Sequence, residues 1–195
     1  FVEAKDLNEQ FPSDLENDIE LFKYFISHWS KTTIDPKFDL IKKSIRRSLK
    51  NDSKRKIIIF TEFSDTAIYL QEQLKKSNIR SMLYTSKHAS KTARQRIREN
   101  FDAGYPNGLQ VDDYDVLVAT DAISEGYSLH RAGTIYNYDI PYNPTRVIQR
   151  VGRINRVNLK VFDELFIFNF FPTATGETIS HTAEISTFKM RLFQA

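Results

Sequence analysis

The chain contains no cysteine, which excludes disulfides and thiolate metal sites. Its four histidines, His28, His88, His130 and His181, are scattered without ligand-like spacing, and no structural zinc site is expected. Glycine is scarce, at six residues. Neither a Gly-x-x-x-x-Gly-Lys-Ser/Thr loop nor a Gly-x-Gly-x-x-Gly turn occurs, so the two usual backbone cradles for nucleotide phosphates are missing. The paired acidic motif that would hold magnesium beside such a cradle is missing too. No apolar run is long enough to cross a bilayer, and the start lacks the basic-then-apolar order of a signal peptide. A cytoplasmic protein with no membrane partner is the expectation. The first residue is Phe1, which points to a fragment or to a processed chain.

What is present is enough for one ordinary domain. The 195 residues are 41% hydrophobic and 27% charged, with nine tyrosines and fifteen phenylalanines to fill a core. The net charge of +3 is small, but its distribution is uneven. Residues 1–20 are acidic, whereas 42–56 carry Lys42, Lys43, Arg46, Arg47, Lys50, Lys54, Arg55 and Lys56 against Asp52 alone. A solvated helix face and a groove wall for phosphates are both consistent with that run.

Apolar spacing predicts a helix over Leu15–Trp29, capped by Ser13 or Asp14, and a second one from Pro36 through Leu40, Ile41, Ile45 and Leu49. An alternating pattern follows. Lys56–Thr61, Ile79–Tyr84, Asp115–Ala119, Thr134–Tyr138 and a segment within Val161–Phe171 are short apolar runs of the kind buried in parallel strands. Between them, helices are expected through Ala67, Leu70 and Leu74, over Ser90–Phe101, and from Pro144. Strands separated by helices predict a mostly parallel sheet covered on both faces. Residues 172–195 read as a weak terminal helix through Ile185, Phe188 and Leu192.

The helix from Pro144 is the most informative element. Asn143 suits its cap, and Val147, Ile148, Val151 and Ile154 share one side. Arg146, Gln149, Arg150, Arg153 and Arg156 share the opposite arc. Like charges so gathered repel, and the helix holds no acid, so their partner must be anionic. Guanidinium forks suit phosphate oxygens, and a solvent face paired with local carboxylates is the plainer alternative. The loop Ala119–Leu129 leaves the end of a predicted strand, where parallel sheets place binding residues. Within it Thr120, Asp121, Ser124 and Gly126 are suited either to a ligand or to ordinary turns.

Val118–Leu129 (VATDAISEGYSL) and Gln149–Arg156 (QRVGRINR) closely resemble the fifth and sixth conserved motifs of superfamily 2 helicases, and Lys56–Phe63 (KIIIFTEF) resembles the fourth. Tyr138–Arg146 (YDIPYNPTR) is similar to a segment of Swi/Snf-type DNA-dependent ATPases and their bacterial relatives. The resemblance implies the second RecA-like domain of such a protein: an α/β fold of three layers, with a mostly parallel central sheet flanked by helices. The lobe would occupy 36–171, after a helical entry segment at 1–35 and before an extension at 172–195.

By the same resemblance, Arg153 and Arg156 match the motif-six arginines that reach nucleotide phosphates across a cleft, as catalytic and nucleotide-binding groups. Gln149 matches the motif's opening glutamine. Asp121 matches the motif-five aspartate near the ribose or the motif-six arginines, and Gly126 lies in that loop. Thr61, Phe63, Thr85, Lys87, Lys91, Arg94 and Thr120 match or flank positions facing nucleic acid. The implied function is the C-terminal motor lobe of an ATP-dependent DNA translocase or helicase. It would be inactive without a first lobe in the same polypeptide that supplies the phosphate loop and the magnesium carboxylates. ATP and Mg2+ would bind to the two-lobed protein, and neither tightly to this chain. Double-stranded DNA is the expected partner; the second lobe of an RNA-directed helicase and a nonenzymatic RecA-like adaptor are the alternatives.

Overall fold

The computed structural model describes residues 8–123, 126–141, 143–155 and 161–173, with Thr178, His181 and Glu184. The chain divides into two units, one ending at Leu40 and the other starting at Ile41. In the first, α1 runs over Phe11–Trp29 with proline in its first turn. It starts four residues before the expected Leu15. Gln10 is the capping position and makes no side-chain cap bond, so neither Ser13 nor Asp14 caps it. None of its residues is buried. The helix α2 covers Pro36–Asn51.

The second unit is built on five strands: β1 (Lys56–Phe60), β2 (Ser81–Tyr84), β3 (Val116–Ala119), β4 (Ala132–Asn137) and β5 (Phe166–Asn169). All pair in parallel, in the order β2-β3-β1-β4-β5. Each lies on or inside the segment expected from the apolar runs, except that β4 starts two residues earlier. The run Ile57–Ile59 shows why the pattern works: β-branched side chains suit extended backbone, and all three are fully buried, as a strand covered on both faces requires.

Alternation along the strands assigns the layers. Ile58, Phe60, Leu117, Ala119 and Ile135 form one cluster with Ile97 and Phe101 of α4 (Lys91–Phe101) and Ile154 of α5 (Pro144–Ile154). Tyr136 takes the opposite face, where its hydroxyl shares a 2.7 Å hydrogen bond with Ser44 of α2. The helix α3 (Ser64–Lys76) buries Ala67, Leu70 and Leu74 and packs along β2 and β3 without joining that cluster. Helices thus cover both faces of the sheet. Among the described residues no helix is long and apolar enough to cross a membrane. The weak helix read through Ile185, Phe188 and Leu192 lies outside the described residues.

One member of the basic run is not a surface charge. Lys56 is 3% exposed, donates to the Tyr114 carbonyl at 2.7 Å and pairs with Asp112 at 2.9 Å, which removes it from any phosphate-binding wall. Burial holds its ammonium below the ordinary lysine value. The hydrogen bond from Lys56 in turn holds the Asp112 carboxyl below its ordinary value of 3.8. A depressed carboxyl contributes stability that is present above its unfolded value and is lost as pH falls through the folded one. Lys56→Met removes a buried ammonium and leaves Asp112, which is 72% exposed and still paired with Arg131, so at neutral pH it is expected to stay within about 1 kcal/mol of the parent. It should also lose stability less steeply below the ordinary carboxylate range. Urea unfolding at neutral and acid pH measures both; a variant much weaker at neutral pH would show that the ion pair holds β1 in place.

Candidate functional site

In a parallel sheet all strand C-termini point the same way, and neighbours lie about 4.8 Å apart. Because β1 sits between β3 and β4, three loops meet at that edge. They are Thr61–Phe63 after β1, the single turn Asp121–Ile123 after β3, and the segment from Tyr138 that leads into α5. Asp139 ties two of them: it accepts the Thr61 hydroxyl on one oxygen and the Glu62 backbone N–H, at 2.7 Å, on the other. Asn143 caps α5 as expected, accepting from the Thr145 N–H at 3.0 Å, with Pro144 in the first turn.

The arginines of α5 do not act as one solvent-facing arc. The helix buries Pro144, Val147, Arg150 and Ile154, while Ile148, expected on the apolar side, is exposed. Arg150 lies 60° from Val147 on a helical wheel, close enough for the sheet to enclose it. An unpaired guanidinium could not stay there. Its Nε donates to Asp121 Oδ1 at 2.7 Å, Nη2 to Oδ2 at 3.0 Å and Nη1 to Asn137 Oδ1 at 2.9 Å, and the group lies 5.0 Å from the Phe60 ring centre. Arg146, half exposed, gives Nη1 to Glu62 Oε1 at 2.7 Å and to Asp121 Oδ2 at 3.5 Å. For these two arginines the required anions are carboxylates of the same domain, not phosphates.

Arg153 differs. It is partly buried, and its Nε has no hydrogen-bond partner among the described residues. Its carbonyl accepts from the Leu129 N–H at 2.9 Å, which ties the end of the Asp121 loop to the helix. Gln149 is exposed on the same helix. Arg156 lies outside the described residues, as do Ser124 and Tyr142. Gly126 has φ +82°, a left-handed conformation that favours glycine, and a Cβ placed there would meet open space. Asp121 accepts from Arg150 and Arg146 of this helix.

The residues read as nucleic-acid contacts separate into two groups. Phe63, Lys87, Lys91 and Arg94 are exposed. Thr61, Thr85 and Thr120 are buried, and the first two hydroxyls are committed internally, Thr61 to Asp139 and Thr85 to His88 Nδ1 at 2.7 Å. These side chains set loop position and do not project from it. Beside Gly126, a polar cleft of about 270 Å³ is lined by Tyr84, Arg94, Arg98, Ala122 and Tyr127. Burial, with the 2.8 Å hydrogen bond between the two tyrosine hydroxyls, pushes the Tyr127 phenol up to about 12. It is thus a neutral hydrogen-bonding group beside two arginines at physiological pH. Reading the sequence missed Glu62, Asn137 and Asp139. Each lies within or next to a quoted motif, but nothing in a linear motif indicates which acid meets which arginine.

The model of the helicase conserved C-terminal domain matches residues 36–158. The uncharacterized ATP-dependent helicase YqhH of Bacillus subtilis (strain 168) is 34% identical over 143 residues, 71% of this chain and 22% of that protein. The DEAD-box ATP-dependent RNA helicase RhpA of Helicobacter pylori (strain ATCC 700392 / 26695) is 32% identical over 151 residues, 75% of this chain and 29% of its own. The chain thus spans less than a third of either relative. In three dimensions it resembles the C-terminal part of the Fun30 ATPase domain, with a TM-score of 0.61 at 18% identity, covering 90% of this chain and 53% of that one. At that identity the likeness shows the fold alone.

The buried Arg150 network sets an expectation for stability. Removing one member of a buried, hydrogen-bonded ion pair costs about 3–5 kcal/mol. Arg150→Met should fall near the lower end, because Asp121 keeps Arg146. Ile148→Ala, on the exposed face, should stay within about 0.5 kcal/mol of the parent. Chemical denaturation of the two variants side by side tests which face of α5 is internal. Equal costs would contradict the placement described here.

Proposed function

The chain belongs to the helicase conserved C-terminal domain family, and from that premise we propose that it works as the second motor lobe of an ATP-dependent DNA translocase or helicase. The observation that carries this reading is the contrast along α5. Arg146 and Arg150 are answered by carboxylates, whereas the Arg153 Nε is a buried donor with no partner among the described residues. Leaving a buried donor unsatisfied is unfavourable unless something else accepts from it. A phosphate oxygen presented across a cleft fits that donor, and a planar guanidinium can take it through two parallel bonds. Arg156, three residues on, is assigned the same role by its motif position.

In this reading Arg153 and Arg156 meet nucleotide phosphates held by a first lobe, with Gln149 on the same helix and Gly126 giving the backbone close access. Mg2+ would be held by carboxylates of that first lobe, where it would supply positive charge against the phosphates. The chain's own share is positioning. Arg150 and Asp121 hold α5 at the strand ends, so that Arg153 needs little rearrangement to act. Lys87, Lys91, Arg94 and Phe63 form part of a nucleic-acid track. The lobe comprises 36–171, with a helical entry segment before it and an extension after it, in a cytoplasmic protein. The isolated chain, lacking a phosphate loop, turns over no ATP. Double-stranded DNA is favoured by the Tyr138–Arg146 segment; the identity to an RNA helicase supports an RNA-directed lobe as the second reading.

Two measurements test this function. In the two-lobed protein, Arg153→Ala should lower nucleic-acid-stimulated ATP turnover by about three orders of magnitude or somewhat less, since arginines supplied across a cleft are worth that much in other phosphoryl-transfer enzymes and the variant keeps Arg156. ATP affinity should change far less, and Arg153→Lys should rescue incompletely. Unchanged turnover in a folded variant removes the catalytic role. Separately, the chain should bind duplex DNA weakly, with affinity falling steeply between about 50 and 200 mM salt as counterions are released. Salt-independent binding would exclude a phosphate-dominated contact, and stimulation of the two-lobed protein by RNA alone would favour the second reading.

A further inference from the structure

Glu62 stands in the loop between β1 and α3, one residue before the exposed Phe63. Its backbone is fixed by the Asp139 carboxylate, which also holds the Thr61 hydroxyl, so the loop is anchored at this point. Its side chain leaves the loop and accepts from Arg146 at 2.7 Å. The same Arg146 nitrogen lies 3.5 Å from Asp121, and both Asp121 oxygens are already taken by Arg150. A line of alternating charges, Glu62, Arg146, Asp121, Arg150, therefore runs from the β1 loop into α5, ending one turn before Arg153. Asp121 has its neutralising partner in Arg150. Glu62 is paired with Arg146 and with no other cation among the described residues. Arg146 is half exposed and Glu62 a quarter exposed, so their bond adds little net stability and is exchanged at small cost. The Arg150 bond, fully enclosed, is not.

We propose that Glu62 is a positioning residue that carries contact at the Phe63 loop, through Arg146, to the arginine helix. The proposal rests on the motor reading above and names its coupling element. Nucleic acid pressing on Phe63 moves the loop that holds Glu62. Arg146, bonded to Glu62, is then drawn with it and away from Asp121. Because Asp121 holds Arg150, that shift alters the seating of α5 and hence of Arg153.

The test uses the full-length protein with Glu62→Gln, Arg146→Met and the double variant. ATP turnover is measured without nucleic acid and with saturating duplex DNA, along with KM for ATP and the thermal melt. Glu62→Gln should leave turnover without nucleic acid and KM for ATP unchanged, and reduce the stimulation ratio by at least about fivefold, the low end of ordinary coupling between sites. The double variant should be no worse than the poorer single one, because both remove one link. A stimulation ratio unaffected by Glu62→Gln, or losses that add in the double variant, overturns the link while leaving the motor reading intact. A role in folding alone would lower the melt and both rates together, with the ratio unchanged, and would also overturn it. A parent protein that nucleic acid does not stimulate overturns the motor reading and this link with it.

Discussion

A guanidinium with no solvent exposure has to be met on every side, and the enclosure of Arg150 by Asp121, Asn137 and Phe60 is the constraint on which the site depends. Asp121 comes from the loop after β3, Asn137 ends β4 and Phe60 ends β1. One side chain therefore joins three adjacent strand ends to a helix. The link continues outward, since the Asn137 amide donates to Asn169 of β5 at 2.7 Å. Such an arrangement tolerates little slippage, because a shifted register would leave buried polar groups without partners.

That rigidity explains how neighbouring arginines on one helix can differ in chemistry. Arg150 is inside and committed. Arg146 is at the margin and shared between two carboxylates. Arg153 keeps a buried donor with no acceptor among the described residues. A helix held firmly at its middle can present its last turn with little loss of order when a phosphate arrives, which is the general condition for preorganised charge stabilisation. The threonines follow the same logic from the other direction. Thr61 and Thr85 shape their loops from within, and Phe63, Lys87, Lys91 and Arg94 provide the outward surface.

Much of this was legible in the sequence, for identifiable reasons. The runs KIIIF and VLVA are apolar without alternation, and a strand so composed needs cover on both faces, which parallel order with intervening helices provides. The Asn-Pro pair announced the start of α5, because Asn143 can cap and Pro144 needs no donor. Ser90 likewise caps α4, accepting from the Ala93 N–H at 3.1 Å. These are local effects, complete within a few residues.

The sequence alone determined the alternation of elements, the charge on α5 and the motifs that identify the family. Tertiary structure decided which arginine is buried and which carboxylate answers it. Arg150 and Asp121 are 29 residues apart and Arg146 and Glu62 are 84 apart, so no local spacing relates them. A helical wheel ranks Arg150 as marginal to the apolar side. It became internal because β1 lies between β3 and β4, which brings the Asp121 loop and Asn137 to the same edge of the sheet. Strand order follows from how crossovers pack, a property of the whole chain, and the environment of each charge on α5 follows from strand order.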